Sequence, residues 1–111
     1  MKTIAAAAPD FAAELSAALA GEGEEPLAVQ LIRAQITHLT YDDTADAGYI
    51  YLEPPVAPIP SLHREAAKVK KTIPFGNPHW FNIDVDHEGY AFGVEVLGRK
   101  DVIAKLKSAA L

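Results

Sequence analysis

The residues of this chain best suited to chemistry lie in one stretch, 81–97. Asp84, Asp86, Glu88, Gly89 and Glu95 fall at positions 1, 3, 5, 6 and 12 of an EF-hand calcium loop, with only Glu88 departing from the usual Asp or Asn. A hard cation needs converging oxygens, which makes Asp84, Asp86 and Glu95 the candidate ligand-binding residues. The flanks argue for something else. An EF-hand loop joins two helices, whereas here Phe81, Ile83 and Val85 alternate with Asn82, Asp84 and Asp86, and Phe92, Val94 and Val96 with Gly93, Glu95 and Leu97. Position 8 of the loop, normally bulky and apolar, is Ala91. The stretch therefore reads as a β-hairpin turning at 86–89, with Gly89 free to take positive φ. Asp84 and Glu95 are its best-paired carboxylates, on one side of the hairpin. Apposed like charges cost stability unless solvated, neutralised or given a task, and Lys or Arg from another strand or subunit is the expected neutraliser.

No other constellation competes. His38, His63, His79 and His87 show neither HxH nor i, i+4 helical spacing, so no preformed zinc site is indicated. The chain has no cysteine, no serine in a nucleophile elbow, no phosphate loop and no dinucleotide fingerprint. Asp42, Asp43 and Asp46 crowd one turn, where such residues bond their own backbone. The expectation is a non-catalytic protein with no cofactor and no metal.

The elements that must position these residues follow from periodicity. Residues 9–20 read as an amphipathic helix with Pro9 in its first turn and Phe11, Leu15, Ala18 and Leu19 on one face. This helix packs on its own sheet or docks on a sister subunit; Phe11 and Leu15, with the lone Trp80, are the candidate interface residues. A second short helix spans 26–33. Strands are expected at 35–41, 49–52 and 68–75, and a last helix from Arg99 to Leu111 with Val102, Ile103 and Leu106 as its stripe. Residues 54–60, Pro-Pro-Val-Ala-Pro-Ile-Pro, read as an extended surface connection followed by a helical turn at 61–67, and 76–79 as a turn. Pro74 and the lysines of 68–71 suit an edge strand. The expected fold is α+β: a small antiparallel sheet of about five strands with N-terminal helices and a C-terminal helix. It divides into a helical extension (1–34), a β domain (35–98) and the last helix (99–111).

The 111 residues carry a net charge of −5, with two basic and nine acidic side chains in residues 1–60 and eight basic and six acidic in 61–111. An acidic half argues against nucleic-acid binding, which relies on basic patches. No apolar run reaches a membrane span. The start, Met-Lys-Thr-Ile-Ala-Ala-Ala-Ala with Ala18-Leu19-Ala20 after it, resembles a signal peptide, but Pro9, Asp10 and Glu14 interrupt the apolar region too early. A cytoplasmic location is expected.

Two motifs together bring a family into view: Tyr41-Asp42 with Ala45-Asp46-Ala47 and Tyr49-Ile50-Tyr51-Leu52, then Asn82-Ile83-Asp84-Val85-Asp86, Gly89 and Gly93-Val94-Glu95-Val96-Leu97. Over about residues 39–97 the chain resembles the small bacterial and phage domain of unknown function family 2283. That resemblance implies a compact antiparallel β domain and no established activity. Gly48 stands where the family usually has a bulky apolar residue, and both helical ends lie outside the resemblance.

Three functions are in contention. The first is a non-catalytic interaction or assembly module, acting as a homo-oligomer, with a dimer favoured, or with a protein partner. The second is a small-ligand or metal-ion binding domain, or a minor enzyme, built on Asp84, Asp86 and Glu95. The third is an antitoxin-like or phage accessory protein.

Overall fold

The computed structural model describes residues 2–53, 71–75, 80–86 and 89–109. Three helices come first. Helix α1 (Ile4–Ala7) is one turn, capped by Thr3, whose hydroxyl accepts the Ala6 N–H at 3.2 Å. Helix α2 (Pro9–Gly21) starts on a proline whose missing N–H costs nothing in a first turn, with Asp10 beside the positive end. Helix α3 (Glu25–Arg33) repeats the device with Glu25 and Pro26. Strands β1 (Gln35–Asp42), β2 (Ala47–Glu53), β3 (Lys71–Phe75), β4 (Phe81–Val85) and β5 (Ala91–Leu97) follow, and helix α4 (Lys100–Ser108) closes the chain with Lys105 and Lys107 in its last turn. Gly98, at φ +66°, turns β5 into α4. The expected strand at 68–75 is described only from Lys71, and the proline-rich connection, the turn at 76–79 and the two final residues lie outside the described residues.

The fold is α+β. The strands form one antiparallel sheet in the order β1-β2-β5-β4-β3. Two hairpins, β1–β2 and β4–β5, meet at the β2–β5 seam, where Ile50 pairs with Val94 and Tyr49 with Glu95. These hairpins are the two motif stretches singled out in the sequence.

Alternation decides which face is buried. Ile36, Ile50, Leu52, Phe81, Ile83, Val94 and Val96 are at most 1 % exposed and join Ile4, Leu15, Leu19, Leu31 and Leu106 from the helices in one core. Residues from the N-terminal, β and C-terminal segments thus share a single apolar interior. Gly48 lies under α4: a Cβ there would come within 2.4 Å of the Ile103 side chain. Among the described residues no helix is long and apolar enough to cross a membrane.

The β1–β2 turn is held by its acidic residues. Asp42 Oδ1 accepts the N–H groups of Thr44 (2.9 Å) and Ala45 (3.4 Å). Asp46 takes the left-handed conformation at φ +49° and accepts the Tyr41 hydroxyl at 2.6 Å. That hydrogen bond, then the nearby carboxylate charges, pushes the Tyr41 phenol from its ordinary 10.0 up to about 12. Because the folded value is the higher one, the contribution is complete below pH 10 and is lost as pH rises through about 12. In an alkaline absorbance titration of Asp46→Asn, which keeps an acceptor oxygen and tolerates positive φ, Tyr41 is expected to ionise earlier than in the parent chain; an unchanged titration would show that the carboxylate does not hold the phenol.

Candidate functional site

The sheet carries helices on one face among the described residues. The opposite face collects the side chains that alternation turns away from the core: Thr72 on β3, Asn82 and Asp84 on β4, Gly93 and Glu95 on β5, Tyr49 and Tyr51 on β2, His38 and Thr40 on β1. Tyr51 is 42 % exposed, the largest apolar exposure on this face.

The centre of the face is a phenol crossing a strand. Tyr49 projects from β2, passes over Gly93 of β5 and donates its hydroxyl to Asp84 Oδ2 on β4 at 2.5 Å. A Cβ on Gly93 would stand 1.9 Å from the Tyr49 oxygen and 2.3 Å from the ring, so only glycine leaves room for this path. On the far side Thr72 donates its hydroxyl to Asp84 Oδ1 at 2.6 Å. Asp84 is thus held between two neutral donors. Glu95 accepts the Asn82 side-chain N–H at 2.9 Å. Partial burial first, then the bond to Asp84, raises the Tyr49 phenol well above its ordinary range. The Tyr51 ring extends the patch, 4.6 Å from Tyr49 and 5.5 Å from His38 between centroids.

Sequence reasoning brought Asp84 and Glu95 to one side of the hairpin, and they lie there. It missed Tyr49, Thr72, Asn82 and Gly93 as their partners. Its expected cationic neutraliser is replaced, in the hydrogen bonds of the described residues, by hydroxyl and amide donors. The only cue was the shared face of Tyr49 and Tyr51, and no spacing rule says that β2 lies beside β5.

Asp86 is elsewhere. It is 8 % exposed and closes the β4–β5 turn: its Oδ1 accepts the Tyr90 N–H at 3.0 Å and its own N–H donates to the Tyr90 carbonyl at 2.9 Å. With Glu24, Leu27, Gln30 and Val85 it lines a depression of about 290 Å³ on the helix side. Gln30 reaches from α3 to accept the Ala91 N–H beside a shift in strand register. Among the described residues no three His, Asp or Glu side chains could share a metal ion. Of the histidines, only His38 lies within the described residues.

The candidate interface residues belong to a second cluster. Phe11 and Leu15 are 3 % and 0 % exposed within this chain's own core. Trp80, partly buried, packs against Phe81 at 4.5 Å and Phe11 at 6.0 Å, with the Arg99 guanidinium 4.9 Å above its ring. Arg99 also donates to Glu14 (2.8 Å) and Asp101 (3.1 Å), which raises its own proton affinity and holds the Asp101 carboxyl below its usual range. Trp80 therefore joins α2, β4 and the start of α4. The adjoining depression of about 450 Å³ is lined by Asp10, Glu14, Arg99, Asp101 and Lys105.

No family model, curated protein or solved structure matches this chain.

Tyr49→Phe is expected to cost about 1–2 kcal/mol in chemical denaturation, since Asp84 loses a charged hydrogen bond that is partly shielded from water. Gly93→Ala is expected to cost about 1–3 kcal/mol by expelling the ring. Combining Gly93→Ala with Tyr49→Ala should cost clearly less than the sum of the two; additive losses would show that the ring and the glycine are independent.

Proposed function

We propose that this protein is a non-catalytic interaction or assembly module that works as a homo-oligomer, with the sheet as its contact surface. One observation supports the reading above the others. On the open face the candidate carboxylates Asp84 and Glu95 are already bonded to Tyr49, Thr72 and Asn82, while Tyr51 and His38 on the same face are exposed and Thr40 is partly so. Oxygens bonded to hydroxyls are poorly prepared to converge on a cation, which would have to displace donors already in place. A sheet face with exposed aromatic rings, by contrast, suits protein contact. The two depressions lie on the helix side, and their described lining residues bring together no nucleophile with a base.

Native mass spectra of the intact chain are expected to give a multiple of the chain mass that EDTA leaves unchanged, with a thermal midpoint equally indifferent to EDTA. Asp84→Asn with Glu95→Gln should leave the assembly in place. A monomer carrying an adduct that is lost on denaturation, together with a midpoint that falls in EDTA, would overturn the reading in favour of a small-ligand or metal-ion site.

A further inference from the structure

The two edges of the sheet are unlike. Edge strand β3 carries an exposed Pro74, which offers no N–H to a neighbour, and the sequence leading into it is rich in lysine. Edge strand β1, Gln-Ile-Thr-His-Leu-Thr-Tyr-Asp, has neither proline nor lysine. Its beginning is occupied: the Ile36 N–H donates to the Lys2 carbonyl at 2.8 Å and Thr3 bridges Gln35. From His38 to Asp42 no described residue pairs with its outer side.

The ladder fixes which backbone groups point outward. The Gly98 N–H donates to the Asp46 carbonyl (2.9 Å) and the Leu97 N–H to the Trp80 carbonyl (2.7 Å). Even-numbered β5 residues therefore turn their polar groups towards β2 and odd-numbered ones towards β4. Val94 and Val96 then bond Ile50 and Gly48, which leaves Ala47, Tyr49 and Tyr51 facing β1, opposite Asp42, Thr40 and His38. The alternate residues Leu39 and Tyr41 are left with outward N–H and C=O groups. The irregularity between Ile36 and His38 restores the alternation on its far side, where Ile36 points outward to Lys2.

We propose that two copies of this chain join through β1, antiparallel about a two-fold axis at Thr40, forming one continuous ten-stranded sheet. The proposal rests on the assembly reading above and names its joint. The register is self-complementary. Leu39 faces Tyr41 of the second copy on the helix side, an aliphatic–aromatic pair whose members already pack at the margin of the core. On the open side Thr40 faces its own equivalent. His38 faces Asp42 of the second copy, a donor opposite a carboxylate whose Oδ1 holds the turn and whose Oδ2 has no described partner. Every contact off the axis occurs twice, as a two-fold interface requires. The Lys2–Thr3 segment stops the ladder at one end and the Asp43–Asp46 turn at the other, so the pairing has one length and does not propagate into a fibre.

Sedimentation velocity and native mass spectrometry of the intact chain over a concentration series test the joint. The parent chain is expected to dimerise. Thr40→Lys and Thr40→Glu, both at an exposed position, should keep the parental circular dichroism and thermal transition. Each should weaken self-association by about tenfold or more, because like charges then sit directly opposite at the axis. Mixing the two should restore a heterodimer, identified by its mass. Leu39→Pro, which removes one outward N–H without adding charge, should also favour the monomer. If the parent is a dimer that Thr40→Lys leaves intact, or if the two charged variants show no preference for one another, the edge is not the joint; the assembly reading then survives on another surface, and Tyr51→Lys should dissociate it. A parent chain that stays monomeric throughout the series overturns both the joint and the homo-oligomer.

Discussion

The seam between β2 and β5 holds this molecule together. Each hairpin forms from neighbours in sequence, but neither buries its apolar face alone, and a two-stranded ribbon is marginal in water. Pairing Ile50 with Val94 and Gly48 with Val96 fuses the hairpins into a sheet wide enough for α2, α3 and α4 to cover. The same seam is crossed on its other face by the Tyr49 ring, which ties β2 to β4 over the backbone of Gly93. Burial on one side and a hydrogen bond on the other thus fix the same register, and a slip of one residue would forfeit both.

The open face shows how neutral donors among the described residues hold carboxylates on a sheet. Asp84 and Glu95 are diagonal neighbours across β4 and β5. Each accepts from neutral groups whose geometry the strands dictate: Thr72 and Tyr49 for Asp84, Asn82 for Glu95. Hydrogen bonds of this kind fix the carboxylates in place without adding net positive charge. Among the described residues no buried side-chain nitrogen or oxygen lacks a partner.

Edge asymmetry gives the fold a direction. A sheet edge left able to pair is a hazard that proteins blunt with proline, charge or cover. Here β3 carries proline, the first residues of β1 are covered by the residues before α1, and the last five residues of β1 are neutral at their centre with opposite chemistry at their ends. Trp80, clasped by Phe11 and Arg99, joins α2 and the start of α4 to β4.

Much of this was legible in the residues. Pro9 and Pro26 marked helix starts, the alternation of Phe81–Val85 and Phe92–Val96 marked the strands and their turn, and the flanks of Asp84 and Glu95 ruled for a hairpin over a calcium loop, because these are local preferences that a few neighbouring side chains settle. Helix α1 escaped notice because a single turn needs only a Thr3 cap and offers no periodicity to read. Asp86 was grouped with Asp84 and Glu95 by the calcium-loop spacing, yet beyond the register shift at Val85 it lies on the helix side, beside Glu24 and Gln30. The partners of Asp84 and the role of Gly93 depend on the strand order β1-β2-β5-β4-β3, which brings Tyr49 over a glycine 44 residues away. By itself the sequence determined the elements other than α1, their apolar faces and the hairpin that bears the carboxylates. Only the tertiary structure decided which face the helices cover, what holds each carboxylate and which strands lie at the edges among the described residues, because those follow from which strands lie side by side, and nothing local to any strand specifies its non-sequential neighbour.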